Sequence, residues 1–284
     1  MVTERLRGPE IGTRSRFAYL TQRVRDLYAF RYLVRYLASS QLRVERVSFA
    51  FGFFWWLLDP LLMIAIWTFV LVGIFGRGNA VGPPFPIFLM AAMLPWQYMN
   101  RAVLIGVSLT LNKELQMRQI SFPRAVFPLS ISISEAVKLL LALAIFPIVA
   151  LAFGESLSPV QLLALPLIPI LMAITVGISW FFSALNFAFR DTQQLLSVLF
   201  RLWMFLSPVL YSLADARTEI PARFQHIYEL NPMCWILVCF RDVLVYHHIP
   251  SLASVGATIV AAIVTTTIGF SFFNMQEPRF ARLN

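Results

Sequence analysis

The chain has 284 residues, is 59% hydrophobic and carries only 13% charged residues, with a mean hydropathy of +0.73. Soluble domains are nearer one-quarter charged, and several apolar runs here exceed the roughly 20 residues that cross a bilayer core of about 30 Å, so a soluble core protein is excluded. The net charge of +9 is no nucleic-acid signature, because the basic residues gather near the ends of the apolar runs, where the positive-inside bias of membrane proteins accounts for them.

A β-barrel would show short alternating segments instead of continuous runs. The pattern therefore predicts an all-α, polytopic membrane protein in three parts. Residues 1–48 form a cytoplasmic tail and an amphipathic helix, residues 49–274 a six-helix transmembrane domain, and residues 275–284 a second cytoplasmic tail. The N-terminus is arginine-rich, with neither the early apolar run nor the small-residue cleavage site of a signal peptide. From Phe17, the residues Leu20, Val24, Leu27, Phe30, Val34 and Leu37 recur at three and four, which is helical periodicity. Arg23, Asp26 and Arg35 fall off that stripe. The segment reads as a helix in the membrane interface with its arginines toward lipid headgroups. Ser39-Ser40 reads as a bend.

The first span is expected at about 49–75, with Asp59-Pro60 inside it. A turn-rich loop, GRGNAVGPP, follows. The second span runs over about 85–109 and contains Leu94-Pro95-Trp96. Next comes a short polar segment, LNKELQMRQISFPRAVFP, from Leu111 to Pro128. Too polar and too short to sit in lipid, it belongs at a membrane face, where it would plug into a partner protein. The third span is about 125–153, the fourth about 160–189 and the fifth about 194–212. Residues 213–249 carry charges of both signs, and Asn231-Pro232 precedes an apolar patch from Met233 to Val245. That patch is below spanning length, so it reads as re-entrant or interfacial. The sixth span is about 249–274. Sixteen lysines and arginines fall on the side of the termini and the polar segment, against four on the other side. This asymmetry places both termini in the cytoplasm.

Ionisable residues inside spans are costly and default to functional candidates. Glu135 and Lys138 are three apart on one helix and pair along one face. Arg101 is expected to snorkel to the cytoplasmic surface, and Asp59 to cap a break at Pro60. Arg201 lies deeper, amid aromatic neighbours, where it could meet an anionic substrate group. Aromatic residues make up 14% of the chain. Interfacial belts and lipid-facing bulk cover most of them, but Trp55, Trp56, Trp67, Trp203, Phe205 and Tyr211 lie in the first and fifth spans and are candidates to line a passage. Their faces would stack on sugar rings with repeated weak contacts and so let a long glycan slide. Cys234 and Cys239 would point about 140° apart on a helix, which suits neither a disulfide nor zinc. The histidines have no carboxylate at motif spacing, and no catalytic constellation emerges. There is no P-loop sequence, so any ATP-driven work must come from another subunit.

These features together resemble the membrane subunits of polysaccharide-exporting ABC-2 type transporters, the O-antigen (Wzm-like), teichoic acid (TagG-like) and capsule (KpsM-like) permeases. The resemblance rests on the amphipathic N-terminal helix, Leu94-Pro95-Trp96, Lys113-Glu114 followed by Phe122-Pro123-Arg124, Arg190-Asp191, Ser207-Pro208 with Tyr211, and Asn231-Pro232-Met233. It implies a homodimer in the bacterial inner membrane with two copies of an ABC ATPase subunit, which bind the ATP and Mg2+; this chain itself binds no cofactor. It also implies a coupling helix at about 112–119 docking on the ATPase through Lys113, Glu114, Leu115, Gln116 and Arg118. Phe17 to Leu37 would be the interface helix, and 213–249 a pair of extracytoplasmic gate helices. The substrate would be a lipid-linked polysaccharide taken from the cytoplasmic leaflet. A drug- or lipid-exporting permease would carry a large outer domain or a different aromatic content. A membrane enzyme on polyprenyl-linked sugars needs clustered acids or histidines, and a secondary transporter internal repeats; the sequence has neither.

Overall fold

The computed structural model of the protein describes residues 22, 23, 25, 27–48, 54–76, 83–116, 123–189 and 191–280. Among the described residues there is no strand, and helices account for nearly everything. In chain order they are α1 (Arg31–Ser48), α2 (Phe54–Thr68, extended by a π-helical turn Phe69–Ile74), α3 (Phe85–Gln116), α4 (Val126–Ala152), a 3-10 turn (Pro159–Leu163), α5 (Ala164–Ala188), α6 (Thr192–Phe205), α7 (Leu213–Glu219), α8 (Ala222–Glu229), α9 (Pro232–Leu244) and α10 (Leu252–Phe280).

Helix α3 is the central mast. Phe88, Leu89, Met90, Ala91, Met93 and Met99 are shut away from the surface, and α4, α5, α9, α2 and α6 all pack on it. The tightest crossing is between α5 and α10, where small residues let two backbones approach. A Cβ on Gly269 would run into the backbone of Gly177, and one on Gly177 into the backbone at Thr265 and Thr266. Thr266 Oγ1 donates to the Ala173 carbonyl at 2.8 Å across this seam. Trp180 stacks on Phe270 at 4.9 Å and donates its indole N–H to the Ala125 carbonyl at 3.0 Å.

Four segments are long and apolar enough to cross a membrane: Phe54–Ile74, Val126–Ala152, Pro159–Ala188 and Leu252–Gln276. They fall on the expected first, third, fourth and sixth spans. The other two differ from a simple span. Helix α3 continues without a break to Gln116, beyond the apolar run that ends near 109. Helix α6 has 14 residues, about 21 Å of helix, less than a bilayer core of about 30 Å. Pro208 and the turn around it stop the helix short of the expected residue 212.

The connections sort to two ends. Val34 packs with Val126 and Phe127, and Asn186 Nδ2 reaches the Val107 carbonyl at 3.5 Å. The start of α1, the end of α3, the start of α4 and the end of α5 therefore share one end. At the other end, Asn231 bonds to Leu206 and Ser207, and Gln161 to the Leu244 carbonyl and His247. Both ends of α9 lie there, and its side chains fill the space between α3, α5 and α10.

Two local expectations are corrected. The Ser39-Ser40 bend is absent, and α1 runs straight through it. Ser39 Oγ donates to the Tyr36 carbonyl at 2.9 Å, so the hydroxyl is satisfied by the helix it was expected to break. The buried stripe is where the periodicity put it, with Val34, Leu37 and Ala38 buried, but it packs on the first turns of α4 and not in lipid. The expected residues 17–21, 24 and 26 of this helix lie outside the described residues.

Candidate functional site

Two arrangements bring sequence-distant polar residues together. The first joins α1, α2, α3 and α4. Glu135 and Lys138 pair on α4 as expected, but Lys138 Nζ also donates to Glu45 Oε2 of α1 at 2.8 Å. Lys138 lies 5.6 Å from the Trp56 ring centroid, within cation–π range. Beside them Arg101 of α3 pairs with Asp59 of α2. Arg101 thus finds a counter-charge on a neighbouring helix, with both side chains still partly exposed. Asp59 caps no break, because α2 runs on through Pro60. A small open pocket of about 30 Å³ beside them is lined by Arg101, Glu135 and Lys138 together with Trp56, Pro60, Leu94, Gln97 and Tyr98. Tyr98 hydrogen-bonds Ser132 on its far side.

A charge inside a bilayer persists when it is paired and faces the bundle, and here four helices pool five charges. Sequence reading missed Glu45. The local signal was partial: Gln41 and Glu45 continue the stripe of α1 by one turn each, which turns Glu45 toward the bundle without choosing its partner.

The second arrangement gathers the short motifs. Trp203 of α6 meets Trp96 of α3 edge to face at 5.8 Å and Phe200 at 5.2 Å. Its indole N–H donates to Asn231 Oδ1 at 3.0 Å. That same oxygen accepts the Met233 backbone N–H and caps α9. Asn231 Nδ2 donates to Ser207 Oγ at 2.8 Å and to the Leu206 carbonyl at 3.1 Å. Tyr211 donates to the Phe205 carbonyl at 2.7 Å and accepts from the Tyr228 hydroxyl at 3.3 Å. Burial and that bond to Tyr211 push the Tyr228 phenol up, so it stays neutral. Arg241 closes the knot from α9. Its guanidinium donates to the carbonyls of Val209 at 2.6 Å and Tyr211 at 2.8 Å, and lies 3.8 Å from the Phe88 ring centroid. Trp96, Ser207, Tyr211, Asn231 and the Met233 backbone, all drawn from the short motifs, are thus parts of one braced corner. Arg241 was missed because sequence reading left it among the charges of the outer loops, whereas it is buried.

The aromatic candidates divide. Trp55 and Phe205 are exposed, Trp67 and Tyr211 half-buried, Trp56 buried, and Trp203 turned into the bundle by its bond to Asn231. Trp67 and Phe205 touch edge to face at 6.1 Å, which brings an open side of α2 beside an open side of α6. Arg201 is exposed on that side of α6, its Nε on the Ser197 carbonyl at 3.3 Å, among exposed Leu195, Val198, Leu199, Leu202 and Leu206. Lys113, Glu114, Leu115 and Gln116 form the last turn of α3, but their side chains, and Arg118 entirely, lie outside the described residues. Cys234 and Cys239 are buried free thiols. No group of three or more metal-ligating side chains occurs among the described residues.

Known proteins match along most of this length. The profile of the family described as ABC-2 type transporter matches residues 33–245. The chain is 26% identical over 258 residues to the O-antigen export system permease protein RfbA of Myxococcus xanthus, covering 91% of this chain and 97% of that protein. It is 28% identical over 262 residues to the protein of the same name from Klebsiella pneumoniae, covering 90% of this chain and 96% of that one.

Proposed function

The chain belongs to the ABC-2 type transporter family, and from that premise we propose that it is the transmembrane subunit of an ATP-driven exporter of lipid-linked polysaccharide, of the O-antigen kind, across the bacterial inner membrane. The observation that carries this reading is the end-to-end likeness to O-antigen export permeases, which leaves neither protein with a large unmatched domain. The chain is a transporter subunit and not an enzyme. An ABC ATPase is its partner, and we assign ATP and Mg2+ to that subunit, in two copies bound to a homodimer of this chain.

Six spans are proposed, with α3 and a tilted or locally thinned crossing at α6 added to the four apolar segments, and with both termini cytoplasmic. The coupling helix is assigned to about 112–119, with Lys113, Glu114, Leu115, Gln116 and Arg118 meeting the ATPase. The unbroken helix from Phe85 to Gln116 supports this, because a push on its last turn moves the whole mast. Through Arg101 that motion reaches Asp59 on α2, and through Lys138 the neighbouring α4 is tied to α1. The exposed sides of α2 and α6 are proposed to line the passage, with Trp55, Trp67, Phe205 and Tyr211 as sliding surfaces and Arg201 meeting anionic groups of the cargo. Trp56 and Trp203 back this wall from behind. Helices α7 to α9 are proposed as the extracytoplasmic gate, hinged on the Asn231 corner.

The test is co-expression with the ABC ATPase encoded beside it. A stable complex that hydrolyses ATP is expected, with both binding and coupled hydrolysis lost in the double variant Lys113→Glu, Glu114→Arg while the spans still insert. A chain that purifies without any ATPase, or a deletion strain whose surface glycan is unchanged, overturns the assignment.

A further inference from the structure

At the end of the bundle that holds both ends of α9, a cavity of about 530 Å³ lies between α4, the turn into α5 and the last residue of α9. Small-molecule sites span about 300–1,000 Å³. We propose that this cavity binds one acyl chain of a phospholipid from the surrounding bilayer, and that the chain props the end of α9 against α4. Leu143 and Phe146 of α4 and Leu244 of α9 form its buried floor. Leu140 of α4, Leu162 of the 3-10 turn and Leu165 of α5 stand exposed at its mouth. The polar residues among the described lining are Ser158 and Gln161, both at the turn that leads into α5. Gln161 Nε2 donates to the Leu244 carbonyl at 3.1 Å and lies 3.0 Å from His247 Nε2. Ser158 Oγ accepts from the Val160 N–H at 3.3 Å, which leaves its own proton to donate.

Three observations select a lipid chain as the occupant. The first is continuity with the lipid-facing surface. Most of the wall belongs to Val126–Ala152 and Pro159–Ala188, both long and apolar enough to cross a membrane. Leu140, Ala144, Ile148 and Leu151 follow one another at helical spacing along α4 and are all exposed, so the mouth opens onto the bare face of a membrane-crossing helix. The second is the chemistry of the wall. None of the described lining residues is ionisable, which offers nothing to the phosphate of a lipid-linked cargo but suits hydrocarbon, with an ester carbonyl accepting from Ser158. Water is a poor filler, because apolar walls give it too few hydrogen bonds, and bare walls would forfeit the contacts of close packing. The third is position. Helices α2 and α6, whose open sides are proposed above to line the passage, contribute no residue to this cavity. The inference is therefore independent of what the exporter carries. Its consequence falls on α9, because a chain lying between Leu244, Leu143 and Phe146 fills the space between the end of that helix and α4.

The test uses the complex of the full chain with its ATPase, purified in detergent, washed free of lipid and then given phospholipids of defined headgroup and chain. Native mass spectrometry is expected to find a long-chain phospholipid retained on each copy of this chain, with phosphatidylcholine, phosphatidylethanolamine and phosphatidylglycerol held alike. The thermal midpoint should rise with retention. A short-chain phosphatidylcholine should neither be retained nor raise the midpoint. Ala144→Trp places a large ring in the mouth from an exposed position of α4 and should abolish both effects. Ala144→Leu fills less and should weaken both, which serves where the tryptophan variant fails to assemble. No retention by the native chain, equal retention by the native chain and the variants, or retention that follows headgroup charge overturns the proposal. So does retention of a polyprenyl phosphate in preference to phospholipid, since the site then takes cargo. A disulfide between two copies of Ala144→Cys in membranes also overturns it, because a second copy then covers the mouth; the native cysteines are buried.

Discussion

Helices α6 and α9 have nearly the same length, 14 and 13 residues, and both are too short to cross a bilayer core at right angles. Their surroundings are opposite. Nine residues of α9 are buried, Arg241 included. Only Thr192, Leu196 and Phe200 are buried on α6, while Leu195, Val198, Leu199, Leu202 and Phe205 stand open. The contrast shows that apolar composition has two uses here. On α9 it fills the fold of one chain, and on α6 it is surface offered to lipid, to a second copy or to cargo. The Asn231 side chain joins the two, capping α9 while holding the end of α6.

The sharpest way to break this contrast is Arg241→Ala. It deletes two hydrogen bonds from a buried charged donor and leaves the Val209 and Tyr211 carbonyls without that partner. With two charged hydrogen bonds worth about 1.5–3 kcal/mol each, a loss of about 3–6 kcal/mol is expected, read as a lower thermal midpoint of the detergent-purified chain. Arg241→Lys should restore only part, since one ammonium lacks the planar fork that spans both carbonyls. An unchanged midpoint would mean that apolar packing alone seats α9. Asn231→Ala attacks the joint itself. It uncaps α9 and frees Trp203, for an expected loss of about 1–3 kcal/mol; export should fall alongside, measured as surface glycan in a complemented deletion strain.

Substitutions on the open side of α6 should separate stability from function. Leu199→Ser with Leu202→Ser is expected to move the midpoint of the single chain by no more than about 0.5 kcal/mol per site, yet to weaken export or self-association, measured by cross-linking in membranes. A large loss of stability would show that α6 is as embedded as α9. The smallest structural effect is expected from Arg201→Gln, whose described bond is to a carbonyl of its own helix. The midpoint should hold, while export of a charged glycan drops several-fold and that of a neutral one does not. Equal export of both would remove Arg201 from the substrate path.

Much of the helix pattern was legible. The third span was expected at 125–153 and the helix is Val126–Ala152; the fourth was expected at 160–189 and ends at Ala188. Both are bounded by local signals, Pro123 before one and Gly154 and Pro159 between the two. The second span was cut short at 109 because hydropathy reports lipid exposure and not helicity. Residues 111–116 are polar but include no helix breaker, so α3 continues through them. The aromatic candidates were legible as a set and not as a wall, because a ring's direction depends on a bond such as Trp203 to Asn231, 28 positions away.

What the sequence alone determined was the membrane setting, the approximate limits of the four long apolar segments, and the buried stripe of α1. These follow from transfer energy and 3.6-residue periodicity, which act over a few turns. Only the tertiary structure decided the ion partners and the face each helix gives away. Asp59 meets Arg101 across 42 positions and Glu45 meets Lys138 across 93, and no local pattern can choose such partners. Apolar packing sets the helices side by side, and a buried charge then takes whichever counter-charge that packing brings within reach.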